Sequence, residues 1–351
     1  MDPDERIERH GRRSELMRRS GMNLRKWLMN TFAVPVLRRM PIDRATNFVE
    51  SIGRWEYDRV PELRRHIDQA VAEAAQRMNA SWDLSTTARN LSGRLTRWRL
   101  RDVLLDGPDA DRALNAFEIV GGEHLEQAMA EQRGVVLLSN HFGGHILPAH
   151  WMLRKNLDFR FLTERPRHLS KSLETYFSST GTMGQQEMFV SRKKKGNDGV
   201  ASIIRSLRVL KSRYIILVAS DVRWLDNQSV TAQFLGEHWK FTPIWAILAQ
   251  RSGAPVVSVY CSMLPGGTHR LEFAEPRHIA PNADISELVQ QELRQIEARV
   301  LADPENANDY FFWALDHSPA AAELRVITPS TDTSKSMPSP HFGIESPVLR
   351  K

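Results

Sequence analysis

Gly134-Val-Val-Leu-Leu-Ser-Asn-His141-Phe-Gly143-Gly144-His145 is the stretch on which the reading of this chain turns. An apolar run of strand length stops at a polar, glycine-rich turn, and a histidine stands at the strand's carboxyl end. The apolar residues that follow (Ile146, Leu147, Trp151, Met152, Leu153) are enough for a helix. Strand, turn and helix in this order form a unit of an open α/β sheet, where ligands bind at the carboxyl ends of strands. A histidine there suits a general base, because its ordinary pKa lies near neutrality. The two glycines let a substrate approach the backbone.

Outward from this stretch, strands are predicted over 117–120, 159–163, 187–191, 214–219, 256–262 and 269–273. Helices are predicted over 122–132, 169–180, 200–211, 242–252 (closed by Gly253) and 286–301, the last with Ser286 as N-cap. The alternation implies βαβ units and an α/β fold with a mostly parallel central sheet flanked by helices. Residues 44–105 read as further helices, one starting at Val60-Pro61 and another over 67–78. The predicted organisation is a charged tail (1–22), a helical, membrane-proximal segment (23–105), an α/β domain (106–317) and a disordered Ser-, Thr- and Pro-rich tail (318–351).

The 351 residues carry a formal net charge of +6 and a sequence pI of about 9.6, which favours anionic partners. Nucleic acid is not expected, because neither a known module nor interleaved stacking aromatics is present. The single cysteine, Cys261, excludes an internal disulfide and a thiolate zinc cluster. It sits in an apolar strand and reads as buried and inert. No apolar run reaches the roughly eighteen residues of a spanning helix, and the polar start does not read as a secretory signal. From Asn23 to Met40, Leu24, Trp27, Leu28, Phe32, Val34, Val36 and Leu37 are interspersed with Arg25, Lys26, Arg38 and Arg39. This describes either a helix lying in a membrane interface or one packed on the core with its basic face in water; Pro35 interrupts both.

Three strand ends carry chemistry. The first is Asn140-His141-Phe142-Gly143-Gly144-His145. His141 and His145 are four residues apart, as in a metal pair, but no third ligand follows at a known spacing, so acid–base chemistry is the preferred reading. The second is Glu164-Arg165-Pro166. A carboxylate there could orient an imidazole, and an arginine could stabilise an oxyanion or hold a phosphate; a plain surface pair would contribute little. The third is Asp221, after Tyr214-Ile-Ile-Leu-Val-Ala-Ser220: a site residue or the cap of a turn. The run Arg192-Lys193-Lys194-Lys195 reads as a solvated loop or a phosphate contact.

In these pieces the chain resembles the lipid A biosynthesis acyltransferase family of the lysophospholipid acyltransferase superfamily, which includes phosphatidylinositol mannoside acyltransferases. The resemblance runs from about Leu37 to about Trp313. It rests on Pro61-Glu-Leu-Arg-Arg65, the Gly134–His141 strand with Phe142-Gly143, Glu164-Arg165-Pro166, Asp221, Phe234-Leu-Gly236, Phe241-Thr242-Pro243 and Arg251-Ser-Gly253-Ala-Pro255-Val-Val.

The resemblance implies a glycerol-3-phosphate acyltransferase-like fold and O-acyl transfer from acyl-CoA or acyl carrier protein to a hydroxyl of a glycolipid or lysophospholipid. His141 would be the base. Arg165 or amides near Gly143 would hold the oxyanion. Asn140, Gly143, Gly144, Arg165 and Asp221 would bind substrate. No cofactor or metal would be needed. The enzyme would sit peripherally on an anionic membrane surface, at the cytoplasmic face of the inner membrane.

The chain departs from the family where an acid should stand five residues after the histidine: that position is Ile146. Glu164 is the favoured substitute orienter, Asp221 another, and loss of the acid a third explanation. Ala314, after Tyr310-Phe-Phe-Trp313, replaces an arginine common in the family. A soluble acyl- or aminoacyl-type transferase on a small non-lipid acceptor, or a catalytically weak lipid-binding relative, are the alternatives.

Overall fold

The computed structural model describes residues 34–105, 114–163, 187–189, 198–225, 228–316 and 319–326. Nine strands are present among them: β1 (Phe117–Val120), β2 (Val135–Ser139), β3 (Phe159–Thr163), β4 (Glu187–Phe189), β5 (Ile215–Ala219), β6 (Val230–Phe234), β7 (Glu237–Phe241), β8 (Val256–Met263) and β9 (His269–Phe273). Seven form one sheet in the order β1-β9-β8-β2-β5-β3-β4, antiparallel only between β8 and β9. This is the predicted α/β fold with a mostly parallel sheet.

The centre of the sheet explains why β2 and β5 are unbroken apolar runs. Both faces are covered, so every side chain of β2 is buried, and a doubly covered parallel strand has no solvent face to make polar. Alternate residues divide between two cores. Val136, Leu138, Ile216 and Val218 join one with Trp245, Leu293, Ile67 and Leu91. Val135, Leu137, Ile215 and Leu217 join the other with Leu125, Trp151 and Met152.

Ahead of the sheet lie α1 (Val34–Arg39), α2 (Ile42–Arg59), α3 (Pro61–Met78), α4 (Leu84–Arg99) and α5 (Arg101–Leu105). Pro61 occupies the first turn of α3, where its missing N–H is harmless, so one helix runs unbroken through the two predicted segments. Pro35 likewise stands in the first turn of α1 rather than interrupting it. Within or after the sheet come α6 (Gly122–Ala130), α7 (Leu147–Arg154), α8 (Asp198–Lys211), α9 (Ile244–Ser252), α10 (Ile285–Ala302) and α11 (Pro319–Leu324). The cap of α10 is Asp284, whose carboxylate accepts from the amides of Ser286 and Glu287, not Ser286 itself.

Two elements depart from the sequence reading. β6 and β7 pair as an antiparallel hairpin, turned by Leu235 and Gly236 at φ of 53° and 77°. A two-residue turn with both φ positive matches the twist of its strands. Within the span expected to be a disordered tail, residues 319–326 are placed: α11 follows the α/β unit, Val326 N–H donates to the His238 carbonyl at 2.8 Å, and Arg325 pairs with Glu237. The predicted helix over 169–180 and the segment 23–33 lie outside the described residues. No helix among the described residues is long and apolar enough to cross a membrane.

The helical unit is fastened to the sheet by buried charge. Glu50 of α2 accepts from Arg94 Nη1 at 2.5 Å and Arg97 Nη1 at 3.2 Å, both from α4. Arg97 is wholly buried; it also donates to the carbonyls of Leu264 and Thr268 in the turn between β8 and β9. Removing one partner from such a group leaves uncompensated charge in the interior. Glu50→Ala is expected to destabilise the fold by about 3–5 kcal/mol, read from urea denaturation midpoints.

Candidate active site

β2 and β5 are parallel neighbours in register, with Ser139 opposite Ala219. One residue on, the Ser220 amide donates to the Ser139 carbonyl at 2.8 Å. One residue further, each chain leaves the sheet at the same height with a functional side chain: His141 after β2, Asp221 after β5. His141 Nδ1 lies 2.9 Å from Asp221 Oδ1, and the His141 amide donates to Asp221 Oδ2 at 2.9 Å. The carboxylate is fully buried, whereas 30 % of the His141 side chain remains exposed.

A third group completes the arrangement. The Tyr310 hydroxyl donates to Asp221 Oδ2 at 2.5 Å. Tyr310 belongs to a turn-rich segment after α10 that wraps the histidine turn. Asn308 Nδ2 donates to the carbonyls of His141 (3.3 Å) and Gly143 (3.2 Å), and the Asn306 carbonyl accepts from the Gly143 amide at 2.7 Å. Asn306 in turn bonds the Met263 backbone at the end of β8. Sequence reasoning missed all three residues. The only signal was the aromatic run Tyr310-Phe-Phe-Trp313, which nothing local connects to a strand end 170 positions earlier.

Burial alone would depress the His141 pKa. The Asp221 charge and hydrogen bond outweigh it, helped by Asp309 and opposed by Arg223, and push the ring up to about 9. For Asp221, burial acts to raise the pKa, but the His141 charge and the bonds from His141 and Tyr310 hold it below the usual carboxylate value. His145 behaves oppositely. Its ring makes tilted contacts with His141 (4.6 Å between centroids) and Trp98 of α4 (4.1 Å), and the Arg101 guanidinium lies 3.6 Å from the centre of that indole. Burial, then the charges of His141 and Arg101, push its pKa well below the imidazole norm. His145 therefore stays neutral beside a charged His141.

Other predicted site residues fall differently. Glu164 and Arg165, like the basic run 192–195, lie outside the described residues. The strand that ends before Glu164, β3, pairs with β5 and not β2, so β5 separates it from the histidine strand. Asp221 was expected to bind substrate, but both of its oxygens are taken by His141 and Tyr310; its place is behind the ring.

Asn140 is buried: Oδ1 accepts from the Phe142 amide and Nδ2 donates to the Val259 carbonyl. Gly143 and Gly144 are also buried, and their amides are bonded inward, so these three shape the turn. The amides of 141–144 donate to Asp221, Asn140, Asn306 and the Cys261 carbonyl respectively, which leaves none for an oxyanion.

Gly143 is required sterically. It has φ of +54°, and a Cβ there would stand 2.1 Å from the Cys261 carbonyl oxygen. Ile146 is packed at the start of α7. Cys261 is buried, which pushes its thiol up to about 12 and leaves it inert. Among the described residues no group of three or more His, Cys, Asp or Glu is placed to hold a metal ion.

A half-open imidazole at the carboxyl edge of a parallel sheet, backed by a buried carboxylate, is the arrangement of an α/β transferase or hydrolase that activates a hydroxyl. The chain matches the family model described as bacterial lipid A biosynthesis acyltransferase over residues 104–314. It belongs to that family, whose members are acyltransferases acting on lipid-like acceptors. No curated protein matched the chain by sequence.

The raised pKa of His141 couples folding to pH. Its contribution is present in full below the unfolded value of 6.5 and is lost as pH rises through about 9. In urea titrations, stability is expected to fall by up to about 3 kcal/mol between pH 6 and pH 10. In Asp221→Asn burial dominates, and this alkaline loss should disappear.

Proposed function

We propose that the chain transfers a fatty acyl group from an acyl thioester to a hydroxyl of a lipid or glycolipid acceptor, with His141 as general base. The observation that carries this reading is the His141–Asp221 hydrogen bond. With Nδ1–H committed to the carboxylate, the Nε2 lone pair is the one left for a substrate proton. The acceptor hydroxyl gives its proton to Nε2 as its oxygen adds to the thioester carbon. The tetrahedral intermediate then expels thiolate, which takes the proton back from His141, leaving an ester and a free thiol. Asp221 holds the ring and stabilises the imidazolium without itself being protonated. None of these steps draws on a metal or cofactor. The donor is acyl-CoA or an acyl carrier protein. The intact pair favours an enzyme over a lipid-binding relative and supplies the orienting acid that Ile146 cannot.

The exposed faces of the N-terminal helices support a peripheral seat on an anionic membrane surface. Phe48 and Trp55 stand two turns apart on one face of α2, exposed by 54 % and 58 %, with Val36 of α1 exposed by 58 %. Arg39, Arg44 and Arg59 are exposed around them. Large apolar side chains among cations suit an interface of head groups and acyl chains.

The test is transfer of label from palmitoyl-CoA, or palmitoyl carrier protein, to a bacterial lipid extract by the purified full chain. His141→Ala and Asp221→Asn should each lower kcat about 10²–10⁴-fold. For the wild type, kcat/KM should climb with pH through a midpoint above 6.5, towards 9, because the base works only when deprotonated. Undiminished transfer by His141→Ala would reject the site.

A further inference from the structure

Arg223 stands two residues beyond Asp221, where the chain leaves β5 and bridges to Phe241 of the hairpin. Its guanidinium carbon lies 4.1 Å from the Trp313 ring centre and 5.1 Å from that of Trp239. Trp313 is three residues from Tyr310, the donor to Asp221, so the indole platform and the catalytic carboxylate are held by one segment. Two aromatic faces stabilise a cation while leaving its N–H groups unspent.

Among the described residues the Arg223 guanidinium makes no hydrogen bond and no ion pair, and its Nη1 is buried without an acceptor. Asp221, Asp309 and Asp316 act on it through space. Yet the Asp221 oxygens are bonded to His141 and Tyr310, and Asp309 Oδ2 accepts from Trp313 Nε1 at 3.4 Å. A buried donor without a partner is uncommon and points to a functional role. The charge also reaches the His141 ring, where it opposes protonation.

Acyl transfer places negative charge on the thioester carbonyl oxygen beside His141 Nε2, and the amides of residues 141–144 are engaged elsewhere. We propose that Arg223 receives that oxyanion, as a catalytic residue that nothing in the sequence pattern singled out. The inference rests on the acyl-transfer reading above. When the acceptor oxygen bonds to the thioester carbon, the carbonyl π pair moves onto oxygen and is met by Arg223 N–H groups, while the acceptor proton passes to His141. When the C–S bond breaks, the oxygen pair re-forms the carbonyl and the arginine is released unchanged. Arg223 is half-buried against Trp239 and Trp313, with Nη1 shielded from solvent, which strengthens the interaction where the charge develops.

Arg223→Gln and Arg223→Lys test this in the full chain, with palmitoyl-CoA as donor and thiol release as the rate. Binding of a palmitoyl-CoA thioether, in which a methylene replaces the carbonyl, is measured alongside. Arg223→Gln should lower kcat about 10²–10³-fold and leave thioether affinity unchanged, because the analogue has no oxygen for the arginine to hold. Arg223→Lys should recover part of the rate, since it keeps a charge without the stacked fork; if the glutamine variant fails to fold by circular dichroism, this variant carries the comparison.

The acid limb of kcat/KM should also move to higher pH in Arg223→Gln. Asp221, Asp309, Tyr310 and His145, with Arg101 behind His145, would still face the imidazole, but the opposing cation would be gone. An unchanged kcat, or a loss of thioether affinity that matches the loss of rate, overturns the proposal; the second would mark a contact to the coenzyme phosphates. In either case inactivity of His141→Ala leaves the acyl-transfer reading standing. Full activity of His141→Ala removes that reading instead.

Discussion

The pairing of β2 with β5 is the constraint on which the site depends. Because the two strands run parallel and in register, residues at equal offsets past Ser139 and Ala219 emerge side by side. A slip of one residue would turn every side chain of β5 to the opposite core and carry Asp221 away from the imidazole. Such a slip is opposed by the whole sheet, since Ile216 and Val218 belong to one core and Ile215 and Leu217 to the other. The hydrophobic effect therefore positions the proposed catalytic pair, although no apolar atom belongs to it.

A carboxylate as buried as Asp221 is tolerable only if its lone pairs are filled. Its donors are the His141 amide, the His141 ring and the Tyr310 hydroxyl. Burial raises the Tyr310 pKa well above the phenol norm, and Asp221 raises it further, so this hydroxyl remains a donor. The same bonds orient the ring, because a carboxylate fixed on the Nδ1 side leaves Nε2 as the nitrogen without a protein partner in that pair. Stability and function are thus served by one set of contacts, and each member depends on the others.

Three regions distant in sequence meet at this point. The histidine turn comes from the first half of the sheet. The Asn306–Trp313 segment closes over it from the end of the domain, and Asn90 of α4 reaches that segment through Glu305 at 2.6 Å. Trp98, on the helix that Arg97 and Glu50 bind to the sheet, packs against His145, whose burial disfavours its charged form. The N-terminal helices are therefore part of the site's wall as well as its proposed membrane face.

Much of this was legible in the sequence. β2 and its turn were readable because a strand covered on both faces must be apolar throughout, and its abrupt end at Asn140-His141 marks the sheet's functional edge. The reading of Cys261 as inert followed from the same burial. The hairpin of β6 and β7 escaped because its alternation is short and its turn, Leu235-Gly236, lacks the usual asparagine or aspartate. Tyr310, Asn308, Asn306 and Arg223 escaped because their partners lie in other elements. Residues near the chain's own strand ends thus announced chemistry at three places, His141, Glu164 and Asp221. Which acid belongs to the histidine was decided only in three dimensions, because periodicity records which face a residue takes and not which strand lies next to it. With β5 seated between β2 and β3, the neighbour of His141 is Asp221.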